Sequence, residues 1–142
     1  CYNSEATRLT NIHGDVAMGV FCPRDQRYID GYLKPVYTML AKSGAEFIWI
    51  DDDVRYYHMP VGIGCFCEDC VARFNEKYGH SFTRETLRAA FNKHDMTVRR
   101  EWLDYNRDTI CHLFEEIAKA ADITMSREDW YDIYRTAGYQ LP

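Results

Sequence analysis

The chain has 142 residues, 46% of them apolar and 15% aromatic, and a net charge of −5. That length suits one domain able to bury roughly 68–70% of its unfolded surface. An acidic chain without a basic stripe argues against nucleic acid as a partner, and no run of about 18 apolar residues offers a membrane span. The first residues lack a basic-then-apolar export segment, so a cytoplasmic location is expected.

Residues Cys1 to Gly14 show no periodicity and contain Asn3, Ser4, Asn11 and Gly14, which reads as loop. Asp15 to Cys22 (DVAMGVFC) is short, apolar and stopped by Pro23, as a strand buried on both faces would be. From Arg24 to Lys42, Ile29, Leu33, Val36 and Leu40 recur at helical spacing, widened by Tyr28, Tyr32 and Tyr37. Pro23 suits the start of that helix and Gly44 its end, while Pro35 predicts a kink or a fresh start inside it.

Glu46 to Asp51 (EFIWID) reads as a second apolar strand, completing a right-handed βαβ unit with parallel strands. Cys22 and Asp51 then end their strands at one sheet edge, about 4.8 Å apart if the strands are neighbours. Further on, Cys67 to Tyr78 predicts a helix closed by Gly79, and Thr83 predicts the N-cap of a helix over Arg84 to Asn92. Asp95 to Ala121 carries the longest apolar stripe, in one helix or two abutting ones. Ile123 to Met125 suits a third strand, and Asp129 to Thr136 a final helical turn or two. Two or three parallel strands are too few for a sheet covered on both faces. The fold class expected is therefore α/β: a βαβ-containing fragment of a (β/α)8 TIM barrel with additional helices, forming one partial domain over residues 1–142. A whole barrel needs about 250 residues.

Of six cysteines, Cys65, Cys67 and Cys70 lie too close together to pair with one another, since a disulfide needs Cα atoms about 5.5–6 Å apart. Disulfides to distant partners remain one reading. The other is a closed tetrahedral zinc site, commonly built from clustered thiolates plus a distant one. The βαβ geometry allows the loop after Asp51 to return these three over Cys22. Cys1 and Cys111 stand apart, Cys111 as a small hydrophobe on a helix.

Three stretches, FCPRDQRY, WIDDD and GCFCEDCVARFNEKYG, resemble glycoside hydrolase family forty-two, the zinc-containing beta-galactosidases. Members carry a cysteine-proline pair after one barrel strand and a tryptophan-led acidic motif, ending Asn-Glu, after the next. A C-x-C-x2-C then leads into an aromatic-rich helix ending Tyr-Gly. The resemblance covers roughly Gly19 to Tyr105. It implies that Cys22, Cys65, Cys67 and Cys70 bind a structural Zn2+. It also implies that Asp53 stands at the general acid/base position, beside Asp52 where the family has asparagine, if one residue is deleted after Trp49. Aspartate is one methylene shorter than the family's glutamate.

The bland reading of Asp51, Asp52 and Asp53 is a capped turn or a pairing with Arg55. Their place after a buried strand, where barrels keep catalytic groups, favours a site. Mutual repulsion raises the pKa of at least one, as a glycosidic acid requires. Asp53 and Asp52 are thus the candidate catalytic residues, with Asp51, Arg55 and Tyr56 as contacts to a carbohydrate substrate. Trp49 suits the core better than a sugar platform. His58 is a lone loop histidine, and His13, His80, His94 and His112 show no metal spacing. A second carboxylate is needed for glycoside hydrolysis, and Glu115 and Glu116 fall on a helix. The expected function is a glycoside hydrolase-like barrel fragment, inactive alone and assembling into homo-oligomers through exposed strand edges. The alternative is a non-catalytic, zinc-stabilised α/β module that binds carbohydrate or protein.

Overall fold

The computed structural model describes residues 5–50, 60–62 and 64–123. Among them the chain is a mixed fold, a two-stranded sheet followed by helices. The strands β1 (Arg8–Thr10) and β2 (Val16–Phe21) run antiparallel, with Arg8 opposite Phe21, Thr10 opposite Val16 and a register shift between. Asn11 builds their connection. Its Oδ1 accepts from the His13 N–H at 2.8 Å and the Asp15 N–H at 2.9 Å, which closes an Asx turn.

This hairpin corrects two expectations. The loop expected up to Gly14 contains β1, whose three residues carry no alternation of their own and are strand because β2 supplies their ladder. Nor is β2 buried on both faces: Ala17 is fully buried, but Val16 is 45% and Met18 79% exposed. No helix layer covers that second face among the described residues.

The helical segment after β2 opens at Asp25, whose carboxylate accepts from the Arg27 and Tyr28 N–H groups at the start of α1 (Gln26–Tyr28). A π-helical turn, Ile29–Leu33, then leads into α2 (Lys34–Lys42). Pro35 explains the widened turn. It has no N–H to donate, and its ring would strike the carbonyl four residues back in a regular helix. The expected interruption is therefore present, as a π turn and a new start at Lys34. Residues 46–50, expected to open a second strand, carry no strand pairing, and the rest of that strand lies outside the described residues.

Helices α3 (Glu68–Tyr78), α4 (Arg84–Asn92) and α5 (Met96–Ala120) follow their local signals. Gly79 closes α3 at φ +71°, a left-handed angle that suits glycine. Thr83 caps α4 in a reciprocal box with Thr86. Asp95 caps α5, which is a single helix of 25 residues. The third strand and last helix expected beyond Ile123 lie outside the described residues.

Two apolar clusters hold these elements together. One joins β1, β2, α3, α4 and α5 around Leu9, Ala17, Phe66, Phe74, Leu87 and Trp102. The other sets Ile29 and Leu33 against Leu113 and Ile117, with Ile50 packed beside them. Glu116, only 8% exposed, ties α2 to α5 by accepting from Lys34 at 2.7 Å and Lys119 at 2.8 Å. Those two ammonium partners, Lys119 first, hold its pKa below the usual carboxylate value. No helix among the described residues is long and apolar enough to cross a membrane.

Candidate metal centre

Cys22 follows β2 directly, and its N–H donates to the Thr7 carbonyl at 2.7 Å, just before β1. The segment bearing Cys65 and Cys67 hangs on the other end of β1, where the Phe66 N–H donates to the Thr10 carbonyl at 2.8 Å. From the far side Arg84 Nε donates to the Phe66 carbonyl, also at 2.8 Å. Both polar groups of Phe66 are thereby fixed. Its ring stacks on Trp102 with centroids 4.4 Å apart, and Phe74 meets Trp102 edge-on at 5.0 Å. The loop that carries two cysteines is clamped between a strand and the long helix.

The turn into this loop depends on Gly64. Its φ is +78°, and a Cβ there would stand 2.5 Å from Asn106 Oδ1 and 2.6 Å from Asn106 Nδ2. Asn106 is itself buried and has little room to yield. Cys67 then serves as N-cap of α3, with its sulfur making no cap hydrogen bond, and Cys70 lies in the first turn of that helix. A helix N-terminus favours negative charge, so the last two cysteines sit where thiolates are stabilised.

The result is convergence. The sulfurs of Cys22, Cys65, Cys67 and Cys70 all lie within 4.8 Å of one another and all four residues are buried. Cys22 and Cys70 are 3.4 Å apart and Cys22 and Cys67 3.8 Å, too far for sulfur–sulfur bonds of about 2.05 Å. None of the four is in a disulfide, nor is the buried Cys111 on α5. The disulfide reading therefore gives way to a four-sulfur site able to hold a metal ion.

Electrostatics point the same way. Contact with the Cys65, Cys67 and Cys70 sulfurs, then burial, pushes the Cys22 thiol far up. Contact with Cys22 first, then with Cys67 and Cys70, pulls Cys65 far down, and Cys22 likewise lowers Cys67. The sulfurs thus share protons among themselves, since four thiolates this close repel strongly without a cation between them. A metal ion bound by the four sulfurs would replace those protons and remove the repulsion.

The shared support on β1 is the feature that sequence reasoning missed. The cysteines were expected to meet because two parallel strands end together. Among the described residues they meet because Thr7 and Thr10, at the two ends of a three-residue strand, hold Cys22 and Phe66. Gly64 and Asn106 were also missed, although a glycine immediately before the first cysteine is a visible sign of close approach.

Asp51, Asp52, Asp53, Arg55 and Tyr56, with Tyr57 and His58, lie outside the described residues. Trp49, expected in the core, is 83% exposed, and Phe47 is 79% exposed. Their segment makes no strand pairing that would turn these rings inward. The chain matches no protein-family model, no curated protein and no solved structure.

Proposed function

We propose that this chain is part of a zinc-stapled (β/α)8 barrel of the glycoside hydrolase type, akin to the zinc-containing beta-galactosidases and directed at carbohydrate O-glycosidic bonds. The observation that carries the reading is the meeting of Cys22 with the C-x-C-x2-C cluster. These are the positions where the resemblance puts zinc ligands. Zinc–thiolate bonds of about 2.3 Å in a tetrahedron set sulfurs about 3.8 Å apart. The separations of 3.4 and 3.8 Å lie close to that figure. Four thiolates leave no position for water, so the zinc is structural and the chemistry lies elsewhere.

In this reading Asp53 is the general acid/base, Asp52 stands beside it, and Asp51, Arg55 and Tyr56 contact the sugar. The partner carboxylate comes from a later strand. Glu116 does not supply it, being committed to Lys34 and Lys119. The exposed Val16, Met18, Phe47 and Trp49 are surfaces that further barrel strands or a second copy would cover. Beside β2 and α5, an apolar cleft of about 250 Å³ lined by Tyr28, Tyr32 and Tyr37 is of the same kind.

A second reading, a non-catalytic zinc-stabilised module for carbohydrate or protein, is favoured by the antiparallel pairing of β1 and β2. Titration with galactose or lactose, followed by tryptophan fluorescence in wild type and Asp53→Asn, separates the two. The hydrolase reading expects a saturable change that weakens in the variant. An equal response in both would move the reading to the module, and no response in either would remove carbohydrate from it. No turnover of an aryl glycoside is expected from the 142-residue chain. Elemental analysis of protein purified reduced and without chelator should find about one zinc per chain. A value near zero would sink the zinc assignment.

A further inference from the structure

Arg84 opens α4, yet its side chain reaches the cysteine loop, where Nε donates to the Phe66 carbonyl at 2.8 Å. That carbonyl belongs to the peptide joining Phe66 to Cys67. Phe66 is only 3% exposed, and Trp102 at 4.4 Å and Phe91, edge-on at 6.2 Å, already hold its ring. Its N–H is committed to the Thr10 carbonyl. With ring and N–H held, the carbonyl is the part of Phe66 left to turn, and the Arg84 bond fixes it. The other end of the same guanidinium lies against the β1–β2 connection: a Cβ at Gly14 would stand 3.1 Å from Arg84 Nη1. One turn further along α4, Arg88 Nη1 is 3.2 Å from His13 Nδ1. Helix α4 thus meets both the hairpin that leads to Cys22 and the loop that carries Cys65 and Cys67.

We propose that the Arg84 guanidinium, by bridging the Phe66 carbonyl and the hairpin turn, is a positioning group for the four-sulfur centre, setting the Cys67 arm against the hairpin that leads to Cys22. The inference rests on the metal reading above. Without Arg84 a buried carbonyl loses its donor, and a buried acceptor left unpaired is costly. The peptide recovers a partner only by rotating toward water, and that rotation carries the Cys67 backbone and its sulfur with it. Lysine at this position keeps the positive charge but not the planar fork, in which Nε serves Phe66 while Nη1 faces the turn. Groups that hold metal ligands in place from outside the ligand shell commonly contribute about 10–100-fold to metal affinity.

The test compares wild type with Arg84→Ala and Arg84→Lys under reducing conditions. Each is titrated with cobalt(II) and with zinc against a chromophoric chelator, and each is unfolded in urea without metal. Arg84→Ala should still bind about one ion per chain, with affinity about tenfold weaker. Its cobalt ligand-field bands should differ from those of wild type, because one sulfur is displaced from the tetrahedron. Arg84→Lys should fall between the two in affinity and bands, and carries the test where the alanine variant does not fold. A residue that only supports the fold would lower the metal-free urea midpoint and leave the affinity and bands of the folded protein unmoved. That result would overturn the proposal, and so would a weaker affinity with unmoved bands. Wild-type affinity and bands in Arg84→Lys would overturn it equally, since the planar fork would then be dispensable. Wild type that takes up neither cobalt nor zinc would overturn the metal reading itself, and this inference with it.

Discussion

Removing Cys22 separates the long-range tie from the local cluster. Cys22 stands 45 residues from Cys67 and 48 from Cys70, while the other three ligands are neighbours. With metal in excess, the unfolded chain can also hold the ion, so the stabilisation is limited by the chain entropy that a cross-link removes. For a closed loop of this size that is about 4 kcal/mol. At about 2 kcal/mol per molar urea, chelation should lower the wild-type unfolding midpoint by about 2 M. Cys22→Ser keeps the C-x-C-x2-C ligands but loses the tie, and its midpoint should be nearly insensitive to chelator. The assay is urea unfolding followed by circular dichroism, under reducing conditions, with excess zinc and again with chelator. A wild-type midpoint that ignores chelator, or a Cys22→Ser variant as sensitive as wild type, would refute the reasoning.

Gly64→Ala combines a left-handed φ, costing about 1–2 kcal/mol, with a clash against buried Asn106 worth about 1–3 kcal/mol more. It should lower the urea midpoint and weaken zinc binding together, because the same loop carries Cys65. Trp102→Ala removes the ring on which Phe66 and Phe74 pack and should cost about 3–5 kcal/mol, read by thermal unfolding. Asp25 is buried, and burial alone would raise its pKa. The Arg27 guanidinium and the Thr7 and Arg27 N–H donors outweigh this and hold it well below the ordinary 3.8. Its contribution to stability is thus full above about pH 3.8 and is lost as pH falls from there toward the folded-state value. Asp25→Asn should destabilise by about 1.5–3 kcal/mol at pH 7, and the gap from wild type should narrow below pH 4. A gap that stays constant down to pH 2 would show that the carboxylate's charge is not what matters.

The helices were legible because their signals are local. Thr83, Asp95 and Gly79 sit at helix ends where a side chain or a left-handed angle satisfies the backbone within a few residues. Pro35 announced its interruption for the same reason, since the clash it creates lies one turn away. Cys65, Cys67 and Cys70 were likewise visible as a cluster, their spacing being a property of the chain itself.

What the tertiary structure decided is how Cys22 reaches them. A strand of three residues has no periodicity to read, and β1 exists only through its pairing with β2. Yet β1 is the support on which both arms of the candidate metal centre hang, through Thr7 on one side and Thr10 on the other. The exposure of Trp49 and Met18 is of the same kind. Their apolar character is local, but whether anything covers them depends on segments remote in sequence, and hydrophobic burial is set by what packs against a side chain. The amino-acid order by itself determined which residues could bind a metal; only the folded chain determined that, among the described residues, a short antiparallel hairpin supports the place where they meet.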